Sequence, residues 1–320
     1  MPIPDLVYDV GMNNGDDTAH YLDRGCRVVA IEANPLLVEQ ARGRFAEAIA
    51  AGRLTILGCG VADRRATLRF FVNDDRHELS SFDPAMATKQ TAAGHRITEI
   101  DVDCRPLVEI LREHGTPHYL KIDVEGFDLH CLDAVAALAD SADPADLPAT
   151  VPAYVSVEAH ELTPLYRLHG IGYRGFKCVN QLRHNRPPAA GQPSALATAL
   201  GEARAGVGSA LATAVGPAGR RLARKAGRRL GLSGQPHQPI DGPFPHGSSG
   251  PFGERTPGVW RTADEVAYDW LHLKLGHPHR GPLRRPGWFD FHARLSPPGD
   301  AGMPFGSPDT SEPAAAETPR

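Results

Sequence analysis

The sequence predicts an α/β fold: a mostly parallel sheet with helices on both faces. Three observations predict it. Near-continuous apolar runs such as LVYDV, RVVAIE and YLKIDV recur up to residue 181, amphipathic helical patterns separate them, and the connections are short. Strands this apolar have no solvated face, so they belong inside a sheet covered on both sides.

LVYDV, at Leu6–Val10, is the first buried strand and leads to a helix at residues 16–24. RVVAIE, at Arg27–Glu32, is the second strand. In the NPLLVEQARGRFAEAIAAG run that follows, Asn34 is placed to cap a helix and Pro35 suits its first turn. Leu37, Ala41, Phe45 and Ala48 or Ile49 share one face of this helix, and Gly52 ends it. RLTILGCGV, residues 53–61, reads as the third strand. Next come an additional strand ATLRFFVN, a loop or broken helix in SSFDPAMATKQTAAGHR, and ITEIDVDC, which alternates as an edge strand does. Helix 105–114, strand 117–124, helix 127–139, strand 153–158, helix 162–169 and strand 173–181 complete the regular part.

Beyond it the pattern changes, and four regions are expected. Residues 1–186 form a core, and 187–250, rich in Ala, Gly, Pro, Ser and Arg, form a low-complexity basic insertion or linker. Residues 251–295 complete the core, with a Thr262–Glu265 capping box before a helix and a last strand in GWFDFHARL. Residues 296–320 read as a disordered tail.

The 29 prolines in 320 residues exceed the roughly 5% of average proteins, which agrees with a chain that is only partly core. A net charge of −4 gives no global attraction to a polyanion, so no nucleic-acid partner is expected. Five scattered cysteines show no zinc spacing and read as reduced, mostly core thiols. The N-terminal residues lack a basic and apolar leader pattern, and no apolar run reaches membrane-spanning length, so the expected location is cytoplasmic.

The first strand ends in DVGMNNGDDT. A strand, a glycine turn and a helix in this order put backbone N–H groups at the carboxyl edge of the sheet, where open α/β sheets bind ligands. Gly11 and Gly15 allow close approach, and Asn13 or Asn14 tolerates a left-handed conformation. The G-x-x-x-G spacing departs from the dinucleotide fingerprint. Asp16 and Asp17 would repel a pyrophosphate but receive a cationic group. Glu32, at the end of the second strand, is placed to accept two hydrogen bonds from ribose hydroxyls, so the set reads as an adenosine-type site. Asp63, after the third strand, either reaches an adenine edge or caps its own turn.

A second acidic set follows. In YLKIDVEGFD, Lys121, Asp123 and Glu125 fall on one face of a strand and arrive at the same edge as Gly11, while VSVEAHE brings Glu158 and His160 there. Glu158 and His160 suit either an acid/base pair or metal ligands. An aspartate amid buried strand needs a partner, which Lys121 can supply.

These motifs, with IEANP at Ile31–Pro35, SSFD at Ser80–Asp83, and the later SSGPFGERTPGVW and GWFDFHA, resemble the FkbM-type methyltransferases, within the S-adenosylmethionine-dependent class I methyltransferases. The resemblance covers about residues 6–181 and 248–293. It implies a Rossmann-like seven-stranded sheet of order 3-2-1-4-5-7-6 with the last strand antiparallel, S-adenosylmethionine as methyl donor, and most often an oxygen acceptor. Carried over, Asp9, Gly11, Asn13 and Gly15 cradle the methionine part and ribose, Glu32 holds the ribose hydroxyls, and Asp63 lies near adenine. Met12 and Phe127 depart from the family, where Ala is commoner at both.

The expected reaction is O-methylation of a hydroxyl-bearing small molecule, sugar or lipid, with Asp123 as first choice of base, Glu158 and His160 next, and Lys121 lowering the pKa of Asp123. No metal is assigned. A metal held by Asp123, Glu158 and His160 is the lesser option. The rival enzyme is a nicotinamide-dependent Rossmann oxidoreductase, disfavoured by the glycine spacing. The rival non-enzymatic reading is weak docking on a membrane or nucleic acid through GRRLARKAGRRLGL, residues 219–232, against which stands a solvated basic linker.

Overall fold

In the computed structural model, residues 1–181, 248–275 and 288–296 are described. The expected basic insertion up to residue 247, its 219–232 segment and the tail beyond Ser296 lie outside the described residues.

Seven strands form the main sheet: β1 (Ile3–Val10), β2 (Arg27–Glu32), β3 (Leu54–Gly58), β7 (Pro117–Ile122), β8 (Tyr154–Glu158), β9 (Gly175–Asn180) and β10 (Phe289–Arg294). Their order is β3-β2-β1-β7-β8-β10-β9. Counted along the chain within this sheet, that is 3-2-1-4-5-7-6. β1 runs parallel to β2 and β7, and only β10 is antiparallel to its neighbours β8 and β9. All five residues of β8 and the last five of β1 are buried, as strands covered on both faces must be.

The covering helices are α1 (Asp16–Asp23), α2 (Pro35–Arg44), α3 (Ala46–Ala50), α5 (Leu107–His114), α6 (Asp128–Asp140), α7 (Leu147–Thr150), α8 (Thr163–Ile171) and α9 (Ala263–Leu275), with α4 (Pro84–Ala92) on the smaller sheet described below. Asn34 caps α2 as expected, its Oδ1 accepting from the Leu36 N–H at 3.0 Å. The Thr262–Glu265 capping box also forms, at 2.9 Å in one direction and 3.4 Å in the other.

Four local expectations are corrected. The single helix expected after Asn34 breaks at Phe45, whose backbone leaves helical geometry while its ring packs beneath Gly15. The third strand ends at Gly58. Gly60–Val61 form a separate strand, β4, which joins β5 (Ala66–Asn73) and β6 (Ile97–Arg105) in a three-stranded sheet of order β4-β6-β5. The chain can cross between sheets there because Gly60 has no side chain: a Cβ would stand 2.4 Å from the Phe82 ring and 2.6 Å from Cys104 Sγ. β6 is therefore the middle strand and not an edge, although β4 pairs only with Cys104 and Arg105. SSFDPAMATKQTAAGHR holds a regular helix, α4, which Asp83 caps by accepting from the Ala85 N–H.

Residues 248–252 return to the core far along the chain. Phe252 stacks on Tyr119 with ring centroids 4.2 Å apart, and Tyr21 meets both rings edge-on.

Candidate active site

The loops after β1, β2, β7 and β8 border one cavity of about 1010 Å³, which residues between Arg76 and Lys89 also line. In the first loop Gly11, Asn13 and Gly15 all adopt left-handed φ, at 83°, 51° and 79°. The Gly11 and Met12 N–H groups both donate to the Ile31 carbonyl at 3.0 Å, tying the loop to β2. Glu32 is 8% exposed on the cavity wall. Its two oxygens accept from the Asn13 and Asn34 N–H groups, both at 2.8 Å. Burial pushes its carboxyl up, and backbone donors at Asn34, Asn13 and Ala33 pull the other way. A carboxylate offers about four acceptor sites, so it retains capacity for a ligand hydroxyl.

Lys121 is 3% exposed, and its Nζ lies 3.1 Å from Asp9, 3.5 Å from Asp17 and 3.5 Å from Asp123. Burial alone would discharge it, but Asp9, Asp123 and Asp17 outweigh burial and hold it protonated above the ordinary lysine range. Asp9 is completely buried, with its other oxygen accepting from Thr18 Oγ1 at 2.7 Å. Asp9 therefore braces the loop and does not line the cavity. Neither does Gly15, which begins α1 over the Phe45 ring, nor Asp63, exposed and paired with Arg64 at 3.0 Å. Asp16 and Asp17 do line the cavity, where Asp16 pairs with Arg44 at 2.9 Å and Asp17 accepts from Ser248 Oγ and the Ser249 N–H.

β7 ends at Ile122, so Asp123 and Glu125 sit on the turn beyond it and not on one strand face. Glu125 is left-handed at φ 43°, followed by Gly126 at 97°. Asp128 secures this turn by accepting from the Val124 and Gly126 N–H groups at 3.3 Å, and Ser81 Oγ donates to the Glu125 carbonyl at 2.6 Å. Asp123 keeps 22% of its side-chain surface open. Burial, with Glu158, Asp128 and Asp17 adding to it, overcomes Lys121 and pushes its carboxyl up to about 7, opposite to the lowering expected from Lys121 alone. Burial and the neighbouring Asp123 and Glu158 push Glu125 up to about 9. His160 lies 2.9 Å from Glu158 with its side chain 60% exposed, and that carboxylate raises the imidazole above the usual histidine value.

Lys121, Asp123, Glu158 and His160 thus meet on one cavity with Gly11, Asn13 and Glu32. A cavity of this kind can hold a nucleoside-sized ligand against Glu32 and take a proton from a second ligand at its acidic end. Sequence reasoning missed Thr18, Asp128 and Ser248. Asp128 carried a local signal, an acid opening the helix after a glycine, whereas Ser248 reaches Asp17 across 231 positions with none.

Residues 9–167 match the family model of the methyltransferase FkbM domain. No curated protein matches the chain. Among solved structures, a methyltransferase FkbM from Methylobacillus flagellatus is similar at 20% identity and TM-score 0.34, over 52% of this chain and 36% of its own. The chain thus spans about a third of that protein's length. A Geobacter sulfurreducens SAM-dependent methyltransferase, solved with S-adenosyl-L-homocysteine, aligns at 13% identity and TM-score 0.32, over 92% of this chain and 85% of its own. One from Thiobacillus denitrificans, with the same compound, aligns at 12% and 0.30, over 92% and 86%. Among the described residues no helix is long and apolar enough to cross a membrane.

Proposed function

We propose, from the premise that residues 9–167 belong to the methyltransferase FkbM family, that the protein transfers a methyl group from S-adenosylmethionine to a hydroxyl oxygen of a small-molecule, sugar or lipid acceptor. One observation carries the cofactor half of this reading: a buried carboxylate, Glu32, is held by two backbone N–H groups with its remaining lone pairs on the wall of the cavity. That is the chemistry that recognises vicinal ribose hydroxyls.

When bound, the cofactor supplies a methyl group made electrophilic by positively charged sulfur. Glu32 would hold its ribose, and Gly11, Met12 and Asn13 would carry the backbone beside it. Asp9 and Gly15 act one step removed, by fixing the shape of that loop. Asp123, steadied by Lys121, would take the acceptor's hydroxyl proton, with Glu158 and His160 orienting the acceptor. Arg76, Phe82, Met86 and Lys89 also line the cavity and would shape the acceptor's pocket.

Thermal melts with S-adenosylhomocysteine and with NAD test the cofactor half. The first is expected to stabilise the chain, by roughly 2.7 kcal/mol at a hundredfold excess over its dissociation constant, and NAD to leave it unchanged. Stabilisation by NAD alone would return the protein to the oxidoreductases. For the acceptor half, methyl-labelled cofactor is incubated with hydroxyl-bearing sugars, lipids and polyketides. Label recovered on carbon or nitrogen sinks the oxygen assignment.

A further inference from the structure

We infer that Glu125, Glu158 and His160 form a binding site for one divalent transition-metal cation of the Mn²⁺ or Zn²⁺ class, on the cavity wall beside Asp123. Their donor atoms all lie within 4.8 Å of one another. Glu125 arrives on the turn after β7, Glu158 at the end of β8 and His160 two residues later, so two adjacent parallel strands deliver the set to one point.

The independent observation is at Glu158. Its side chain is 8% exposed, yet Oε2 accepts no hydrogen bond among the described residues. His160 Nε2 stands 2.9 Å from it and pairs with it as an ion only when the imidazole is protonated. Two donors each about 2.1 Å from an ion and at right angles lie about 3 Å apart, so the spacing is that of two ligands of one cation. Buried negative charge needs a partner: His160 supplies one only when protonated, and Lys121 is already shared among Asp9, Asp17 and Asp123. Glu125 adds a second carboxylate, half-buried and facing the first.

The donor set selects the ion. Carboxylates alone suit Mg²⁺ or Ca²⁺, and an imidazole moves the preference to transition metals. Three protein donors with the remaining positions turned to a cavity resemble a catalytic centre more than a closed structural one. An acceptor hydroxyl could complete the shell, which would make its proton easier to remove. The inference goes beyond the methyl-transfer reading, and its test needs neither acceptor nor cofactor.

The full chain, stripped with a chelator and dialysed, is titrated with Mn²⁺ while free ion is followed by electron paramagnetic resonance. The expected result is one bound Mn²⁺ per chain with protein and ion both at about 100 μM. Glu158→Gln, His160→Ala and Glu125→Gln should each weaken binding tenfold or more, and Zn²⁺ should compete. Melting temperature and the response to S-adenosylhomocysteine are recorded for each variant, so that a misfolded protein is not mistaken for a lost ligand. No binding by the folded wild-type chain, or binding indifferent to Glu158→Gln and His160→Ala, overturns the site. Mn²⁺ binding without any response to S-adenosylhomocysteine would instead overturn the cofactor reading and leave the metal site standing.

Discussion

A Cβ built on Gly11 would stand 1.8 Å from the carbonyl oxygen of Asp123. The loop after β1 and the turn after β7 are therefore in backbone contact, and the Asp123 N–H donates to the Val10 carbonyl at 2.9 Å beside that contact. The glycine-loop half and the acidic half of the cavity are built on one shared seam.

Gly11→Ala is expected to open the seam. The left-handed φ costs about 1–2 kcal/mol for any residue with a Cβ, and displacing the β7 turn adds about 1–3. A loss of roughly 2–4 kcal/mol in urea denaturation should accompany loss of S-adenosylhomocysteine binding. A variant as stable as wild type would show that the two loops move apart freely.

Lys121→Met keeps the length of the side chain and removes its charge. Asp9 and Asp17 would be left buried beside Asp123 with no cation, a change that costs about 3–5 kcal/mol when one member of a buried ionic group is removed. Denaturation at pH 7 measures it. Restoring stability with Asp9→Asn in the same chain would identify Asp9 as the group left stranded, and no restoration would place the strain at Asp17 or Asp123.

Much of this site can be read from local pattern, because its residues sit at strand ends where an apolar run stops at an acid. Glu32, Asp123 and Glu158 all have that signature. What the pattern cannot supply is whom each acid meets. Asp9 looks like Glu32 in the sequence, yet it points to Lys121 and Thr18 inside the protein while Glu32 faces the cavity. Asp16 and Asp17 line the cavity, yet nothing in their local pattern names their protein partners, Arg44 for the first and Lys121 and Ser248 for the second. The fold was legible for the same reason as the strand ends, since continuous burial is a local signal. The break at Gly58 was not, because a change of sheet depends on Phe82 and Cys104 packing from elsewhere.

Glu32→Gln tests the ribose assignment separately from stability. Glutamine keeps one acceptor for the two backbone donors and turns an amide towards the other, so a loss of about 1–3 kcal/mol in stability is expected. Affinity for S-adenosylhomocysteine should fall by at least about tenfold, since hydrogen bonds to a charged acceptor carry roughly 1.5–3 kcal/mol. Unchanged affinity by calorimetry would remove Glu32 from the cofactor site.

Glu254 gives stability a defined pH dependence. Its carboxylate accepts from Trp260 Nε1 at 2.8 Å and pairs at 2.7 Å with Arg294, which is 2% exposed and belongs to the antiparallel strand β10. Burial opposes the charge, but Trp260 and Arg294 outweigh it and hold the carboxyl below its ordinary 4.5. A carboxylate lowered in the folded state binds its proton more readily once unfolded. Its contribution is therefore complete above about pH 4.5 and disappears as pH falls through the lower folded value. Glu254→Gln, which removes the charge that faces Arg294 Nη1, should cost about 1–3 kcal/mol at pH 7. The gap in melting temperature between wild type and variant should hold constant from pH 7 to about 5 and narrow below 4.5. A gap still undiminished at pH 3 would mean that Glu254 acts through packing against Tyr154 and Trp260 and not through its charge.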